Sequence, residues 1–131
     1  MILLDTHTFV WWIGNPEFLS IKAKQEIDKA KNKREILVSS ISVWEICLLV
    51  TKKRLKLTMD VETWIEKVEE LSVVKFVPID NKIAIKSTQL LDPFHKDPAD
   101  RIIVASALEN GATLITSDKK ILEYPFVKTL W

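Results

Sequence analysis

Short apolar runs alternate along this chain with longer stretches of helical period, and few folds accommodate that alternation. Residues 2–5, 35–39, 73–79 and 113–116 are rich in Ile, Leu and Val and read as buried strands. Between and after them the spacing predicts helices over 6–13, about 21–31, about 43–53, about 61–71, 81–91 and 98–110. Ile46, Leu49 and Val50 share a face of the third of these helices; Val61, Trp64, Ile65 and Val68 share a face of the fourth. Gly14-Asn15-Pro16 and Gly111 are breakers, and Ser20 is a suitable helix cap. A helical turn at 119–122 and the apolar pair Phe126-Val127 complete the reading. Strands alternating with helices imply an α/β fold, with a parallel sheet covered on both faces.

The 131 residues suit one domain, 1–131, able to bury roughly two-thirds of its unfolded surface. A formal net charge of +1 creates no overall field toward nucleic acid or anionic lipid, so any such binding needs a local patch. The best basic cluster is Lys52, Lys53, Arg54 and Lys56. The single Cys47 excludes an internal disulfide and a thiolate zinc site, and within an apolar helix it reads as core. Met1-Ile2-Leu3-Leu4 reads as a strand rather than an export signal, and no apolar run approaches a membrane span. A cytoplasmic domain with no membrane contact is the expectation.

Several strands and loops run into an acid where a helix begins: Asp5, Asp80, Asp97-Pro98-Ala99-Asp100 and Asp118. Ser42-Val43-Trp44-Glu45 has the form of a capping box. Each acid can therefore be explained as a cap that contributes about 0.5–2 kcal/mol. In a parallel sheet, however, every strand-to-helix junction lies on one edge, where ligands bind. Carboxylates gathered there repel unless a cation joins them or a pKa rises. Oxygen donors without Cys or His favour Mg²⁺ or Mn²⁺, and such an ion suits phosphodiester hydrolysis. Spacing alone leaves Asp80 as a competitor for the cluster.

The order of these pieces resembles a known family. Asp5-Thr6-His7 is followed by Trp11-Trp12, then Ser39-x-x-Ser42-x-Trp44-Glu45-Ile46, then Lys53-Arg54-Leu55-x-Leu57. Asp97-Pro98-Ala99-Asp100-Arg101-x-Ile103-x-Ala105-x-Ala107 and Leu114-Ile115-Thr116-Ser117-Asp118 come next. From residue 2 to about 128 the chain looks like a PIN domain, of the VapC type found in toxin–antitoxin pairs. The resemblance implies a three-layer α/β/α sandwich of strand order 3-2-1-4-5 and an endoribonuclease dependent on Mg²⁺ or Mn²⁺. It maps a catalytic quartet onto Asp5, Glu45, Asp100 and Asp118, with Asp5 and Asp100 as direct metal ligands. Thr116 matches a hydroxyl that supports the last acid, with Thr6 and Asp97 as further supports and Asp97 holding Asp100 in place. Asp80 would fall on an edge strand, away from the centre.

The implied chemistry is water attack on phosphorus, leaving a 5′-phosphate and a 3′-hydroxyl. The implied partners are an RNA substrate, a second copy of the chain and a VapB-like antitoxin that alone contacts DNA. Lys53 and Arg54 are candidate RNA-backbone contacts. Arg101 is expected to pair with a site carboxylate, or else to grip the phosphate. His7 and His95 have no matched partner and read as surface or loop residues. Adjacent Trp11 and Trp12 cannot both be buried on one helix face, so one should line a groove or a contact. Two other readings are a non-catalytic binding module, in which the acids act only as caps, and a receiver-type phosphoacceptor using Asp5, Asp80 and Lys119.

Overall fold

The structure, a computed structural model, describes residues 1–131. Five strands, β1 (Ile2–Leu4), β2 (Ile36–Ser39), β3 (Val74–Val77), β4 (Thr113–Ile115) and β5 (Thr129–Leu130), form one sheet of order β3-β2-β1-β4-β5. All four pairings are parallel. The helices are α1 (Thr6–Gly14), α2 (Ile21–Lys33), α3 (Ser40–Thr51), α4 (Val61–Glu70), α5 (Asn81–Thr88), α6 (Pro98–Glu109) and α7 (Lys119–Leu122). The strand order and parallel sheet are those the sequence led us to expect. No helix is long and apolar enough to cross a membrane.

Side chains of the central strands point alternately to two cores. Ile2, Leu4, Ile36, Val38 and Ile115 pack against α1 to α4 through Phe9, Ile27, Ile46, Trp64 and Val68. Leu3, Leu37, Val77 and Leu114 pack on the other face against Ile83, Ile103, Val104 and Ile121. With apolar cover on both faces, these strands can be nearly continuous in hydrophobicity, as the sequence shows.

Local readings differ from the structure in four places. Helix α3 begins at Ser40, directly after β2, and its cap is Ser39, whose hydroxyl accepts the Ile41 N–H. Ser42 and Glu45 are therefore inside the helix and form no capping box. Helix α5 ends at Thr88 rather than 91. The last strand is Thr129–Leu130; Val127 is apolar because it enters the core, while Phe126 stays exposed. Cys47 is exposed, because it lies one step around α3 from the buried Ile46.

Helices α2, α3 and α6 end in the same motif, with a left-handed residue after the last turn: Arg34, Lys53 and Gly111. The following amides return to the helix, Glu35 N–H to the Ala30 carbonyl and Arg54 N–H to the Leu49 carbonyl. Only Gly111 takes that backbone without a side-chain penalty. Arg34→Gly should therefore raise unfolding free energy by about 1 kcal/mol, measurable as a higher urea midpoint with unchanged slope.

Candidate active site

Sheet register builds the site. Leu4 lies abreast of Val38 and of Ile115. The residues that follow, Asp5, Ser39 and Thr116, thus emerge side by side from the carboxyl edge, with strands about 4.8 Å apart. Asp5 starts α1: one carboxylate oxygen accepts the Thr8 N–H at 2.9 Å and the other accepts the Thr116 hydroxyl. The Thr116 oxygen in turn accepts the Asp118 N–H at 3.0 Å. One threonine therefore ties the first acid to the last.

Asp118 caps α7 through Oδ1, which accepts the amides of Lys120 and Ile121, and its Oδ2 has no protein partner. Glu45 reaches the same place from the second turn of α3. Its Oε1 accepts the Thr6 hydroxyl at 2.5 Å, and that hydroxyl lies 2.9 Å from Ser42 Oγ. Asp100 arrives from the first turn of α6, where Asp97 Oδ1 accepts its N–H at 3.0 Å. Its Oδ2 lies 2.6 Å from His95 Nε2.

Asp5, Glu45, Asp100 and Asp118 line one cavity of about 190 Å³, together with Thr6, His7 and Ser117. Burial pushes the carboxyls of both Glu45 and Asp100 above the ordinary range. The neighbouring acids add to this, Asp100 and Asp97 acting on Glu45, and Asp97 and Asp118 on Asp100. Hydrogen bonds from Thr6 to Glu45 and from His95 to Asp100 oppose the shift. The pocket is thus short of positive charge.

A divalent cation fits this donor set. No three Asp, Glu, His or Cys side chains close into a ready-made cage. Mg²⁺ does not need one: it is commonly held by one or two carboxylates and keeps several waters. Asp118 Oδ2, Asp100 Oδ1 and Glu45 Oε2 carry no protein hydrogen bond, so hard oxygen donors are available at the cavity.

The other candidates are placed as follows. Asp97 caps α6 and borders a hollow beside the acids. Asp80 caps α5 at the end of edge strand β3, accepting the Ile83 N–H at 2.9 Å, and is not in the acidic cavity. The receiver-type pairing of Asp5 with Asp80 is therefore not formed. Arg54 lines a small cavity with Thr6, His7 and Trp11, whereas Lys53 is exposed at the end of α3. Trp11 and Trp12 are both half-buried, Trp11 packing edge-on against His7 and Phe18.

Arg101 corrects an expectation, for it pairs with no carboxylate. Its guanidinium donates to the carbonyls of His95, Ser87 and Phe94 at 3.0, 3.2 and 3.2 Å. It anchors the loop between α5 and α6, and that loop carries His95. Sequence reasoning also passed over His95 and Ser42 as site residues. The five-residue spacing from His95 to Asp100, across Pro98, was the available signal.

A parallel sheet of this order with carboxylates gathered at its carboxyl edge defines a PIN-like α/β/α sandwich. The sequence profile of the PIN domain matches residues 2–127. The chain belongs to the PIN-domain family. It is similar to Ribonuclease VapC22 of Mycobacterium tuberculosis, with 35% identity over 132 aligned residues, covering 99% of this chain and 98% of that protein. Among solved structures, FitAcB from Neisseria gonorrhoeae superposes with a TM-score of 0.71 at 21% identity, covering 100% of this chain and 97% of the other. VapBC2 from Rickettsia felis, bound to a fragment of its promoter DNA, gives 0.70 at 20% identity, covering 99% and 98%. At such identity the structural likeness concerns the fold.

Proposed function

We propose that this protein is a divalent-metal-dependent endoribonuclease of the VapC toxin type. The observation that carries the reading is the convergence of four carboxylates, from four separate parts of the chain, on one small cavity. Similarity to a ribonuclease over nearly the full length supports it. Asp5 and Asp100 would hold Mg²⁺ or Mn²⁺ directly, and Glu45 and Asp118 would complete the pocket. When bound, such an ion orients a phosphate, acidifies a water and offsets charge developing at phosphorus.

The chain's own residues do the rest. Thr116 holds Asp5, Thr6 holds Glu45, and His95 holds Asp100, so each acid presents oxygen to the cavity in a set orientation. Glu45, whose Oε2 has no protein partner and faces the same cavity, is placed to accept a proton from the attacking water. Water adds to phosphorus and the P–O3′ bond breaks, leaving a 5′-phosphate and a 3′-hydroxyl. We further propose a homodimer in the cytoplasm, each protomer held by a VapB-like antitoxin that supplies the DNA contact. The toxin–antitoxin assemblies among the structural neighbours support this partnership.

Metal binding is testable without a substrate. Mn²⁺ at a hundredfold excess over its Kd should stabilise the fold by about 2.7 kcal/mol, a rise in melting temperature of roughly 5–10 °C. Asp100→Asn should abolish most of that rise. A metal-insensitive wild type would overturn the metal-dependent reading.

A further inference from the structure

We propose that the cleft between the Asp92–His95 loop segment and α7 is a subsite for one unpaired nucleobase beside the scissile phosphate; this rests on the ribonuclease reading above. A hollow of about 580 Å³ is walled there by Phe94, His95, Tyr124, Lys120, Glu123 and Asp92. A second hollow, of about 550 Å³, shares His95 and Lys120 with the first and Asp100 and Asp118 with the acidic cavity. The three hollows form one track that runs from carboxylates, past exposed Lys119 and Lys120, to aromatic rings.

Each stretch of the track suits a part of a nucleotide chain. Lys119 and Lys120 offer positive charge where the phosphate next to the reacting one would pass. Phe94 is half-buried and held in place, with Tyr124 edge-on at 4.7 Å and the Arg101 guanidinium 5.7 Å from its ring centre. Tyr124 is itself fixed by donating to the Leu91 carbonyl at 2.8 Å. The His95 ring lies 4.4 Å from Phe94 and is tilted by only 32°. Such anchored rings form the kind of stacking platform that single-stranded RNA uses.

Charge at the far end narrows the choice of base. Asp92 and Glu123 repel phosphate but accept hydrogen bonds from exocyclic amino groups. Cytosine, adenine and guanine carry such a group, whereas uracil offers only its imide N3–H, so the subsite disfavours uracil. A basic peptide would suit the two acids but not the lysine pair between them and the catalytic pocket.

Two measurements on the full chain test this. Binding of fluorescein-labelled hexacytidylate and hexauridylate is followed by anisotropy in EDTA at low salt, and cleavage junctions on a mixed-sequence RNA are sequenced with Mg²⁺ present. Hexacytidylate should bind about tenfold more tightly, and Phe94→Leu, which keeps an apolar side chain, should weaken its binding by about tenfold. Lys120→Ala should weaken both oligomers and flatten the salt dependence. Asp92→Ala with Glu123→Ala should erase the bias against uracil at the junction. Wild-type binding and junctions in all these variants would overturn the proposal. So would variants that lose only a basic peptide partner while RNA binding is unchanged. RNA bound with the stated preferences but never cut would support the subsite and refute the nuclease.

Discussion

Asp100→Asn should lower RNA cleavage by about a thousandfold or more while the protein stays folded. Asparagine keeps the shape of the side chain, and the Asp97 cap on α6 uses the backbone N–H of residue 100, which the substitution leaves in place. The lost quantity is the charge beside the free Oδ1. Glu45→Gln makes the contrast sharper, because an amide oxygen can still accept the Thr6 hydroxyl. Burial and the neighbouring acids make an ionised Glu45 unfavourable in the folded state, so this variant should melt no lower than wild type at neutral pH without metal.

The pH dependence follows in sign. With Glu45 and Asp100 raised, the folded protein holds protons at a pH where the unfolded chain has released them. Their contribution therefore favours folding as pH falls from neutral toward the ordinary carboxylate range and is lost as pH rises through the raised values. The stability difference between wild type and Glu45→Gln should shrink across that window. Cleavage of a defined RNA and thermal melts across pH on the same samples read both effects. Residual activity near wild type in Asp100→Asn would remove this carboxylate from catalysis.

Arg101→Leu is the substitution expected to damage the fold most. Three main-chain carbonyls would lose a charged donor at once. Hydrogen bonds to charged groups contribute about 1.5–3 kcal/mol each and are not additive here, so a loss of about 3 kcal/mol or more is expected. In a chain of this size that lowers the melting temperature by roughly 10 °C. Arg101→Lys should rescue little, since one ammonium cannot span three carbonyls set around a planar fork. Metal affinity should fall alongside stability, because the loosened loop carries His95 away from Asp100. A variant that melts like wild type would show that the loop is held by other contacts.

The parallel sandwich was legible because double burial leaves a plain mark: apolar strands of a few residues, each followed by a cap. Asp5, Asp97 and Asp118 were readable as helix starts for the same reason, and all three cap as expected. Glu45 entered the quartet through the family resemblance; the local explanation of it as half of a capping box fails, since Ser42 lies inside α3 and meets Thr6 instead. The roles of His95 and Arg101 were hidden, because each depends on a partner supplied by the tertiary fold or by a loop folded back on its helix. Cys47 was misplaced because a helix whose sides are almost all apolar gives no period to tell inside from outside. The last strand, Thr129–Leu130, went unread, and the apolarity of Val127 records burial without pairing.

Asp5 and Asp118 are each pinned through one oxygen by backbone amides at the start of a helix, in addition to any bond with another side chain. Their aim is therefore set when the sheet and helices assemble, before any ion arrives. Loading of the proposed cation should then be paced by how fast that ion sheds its own hydration shell, with the polypeptide standing still. Rapid mixing would show it as a rate characteristic of the ion chosen and indifferent to solvent viscosity.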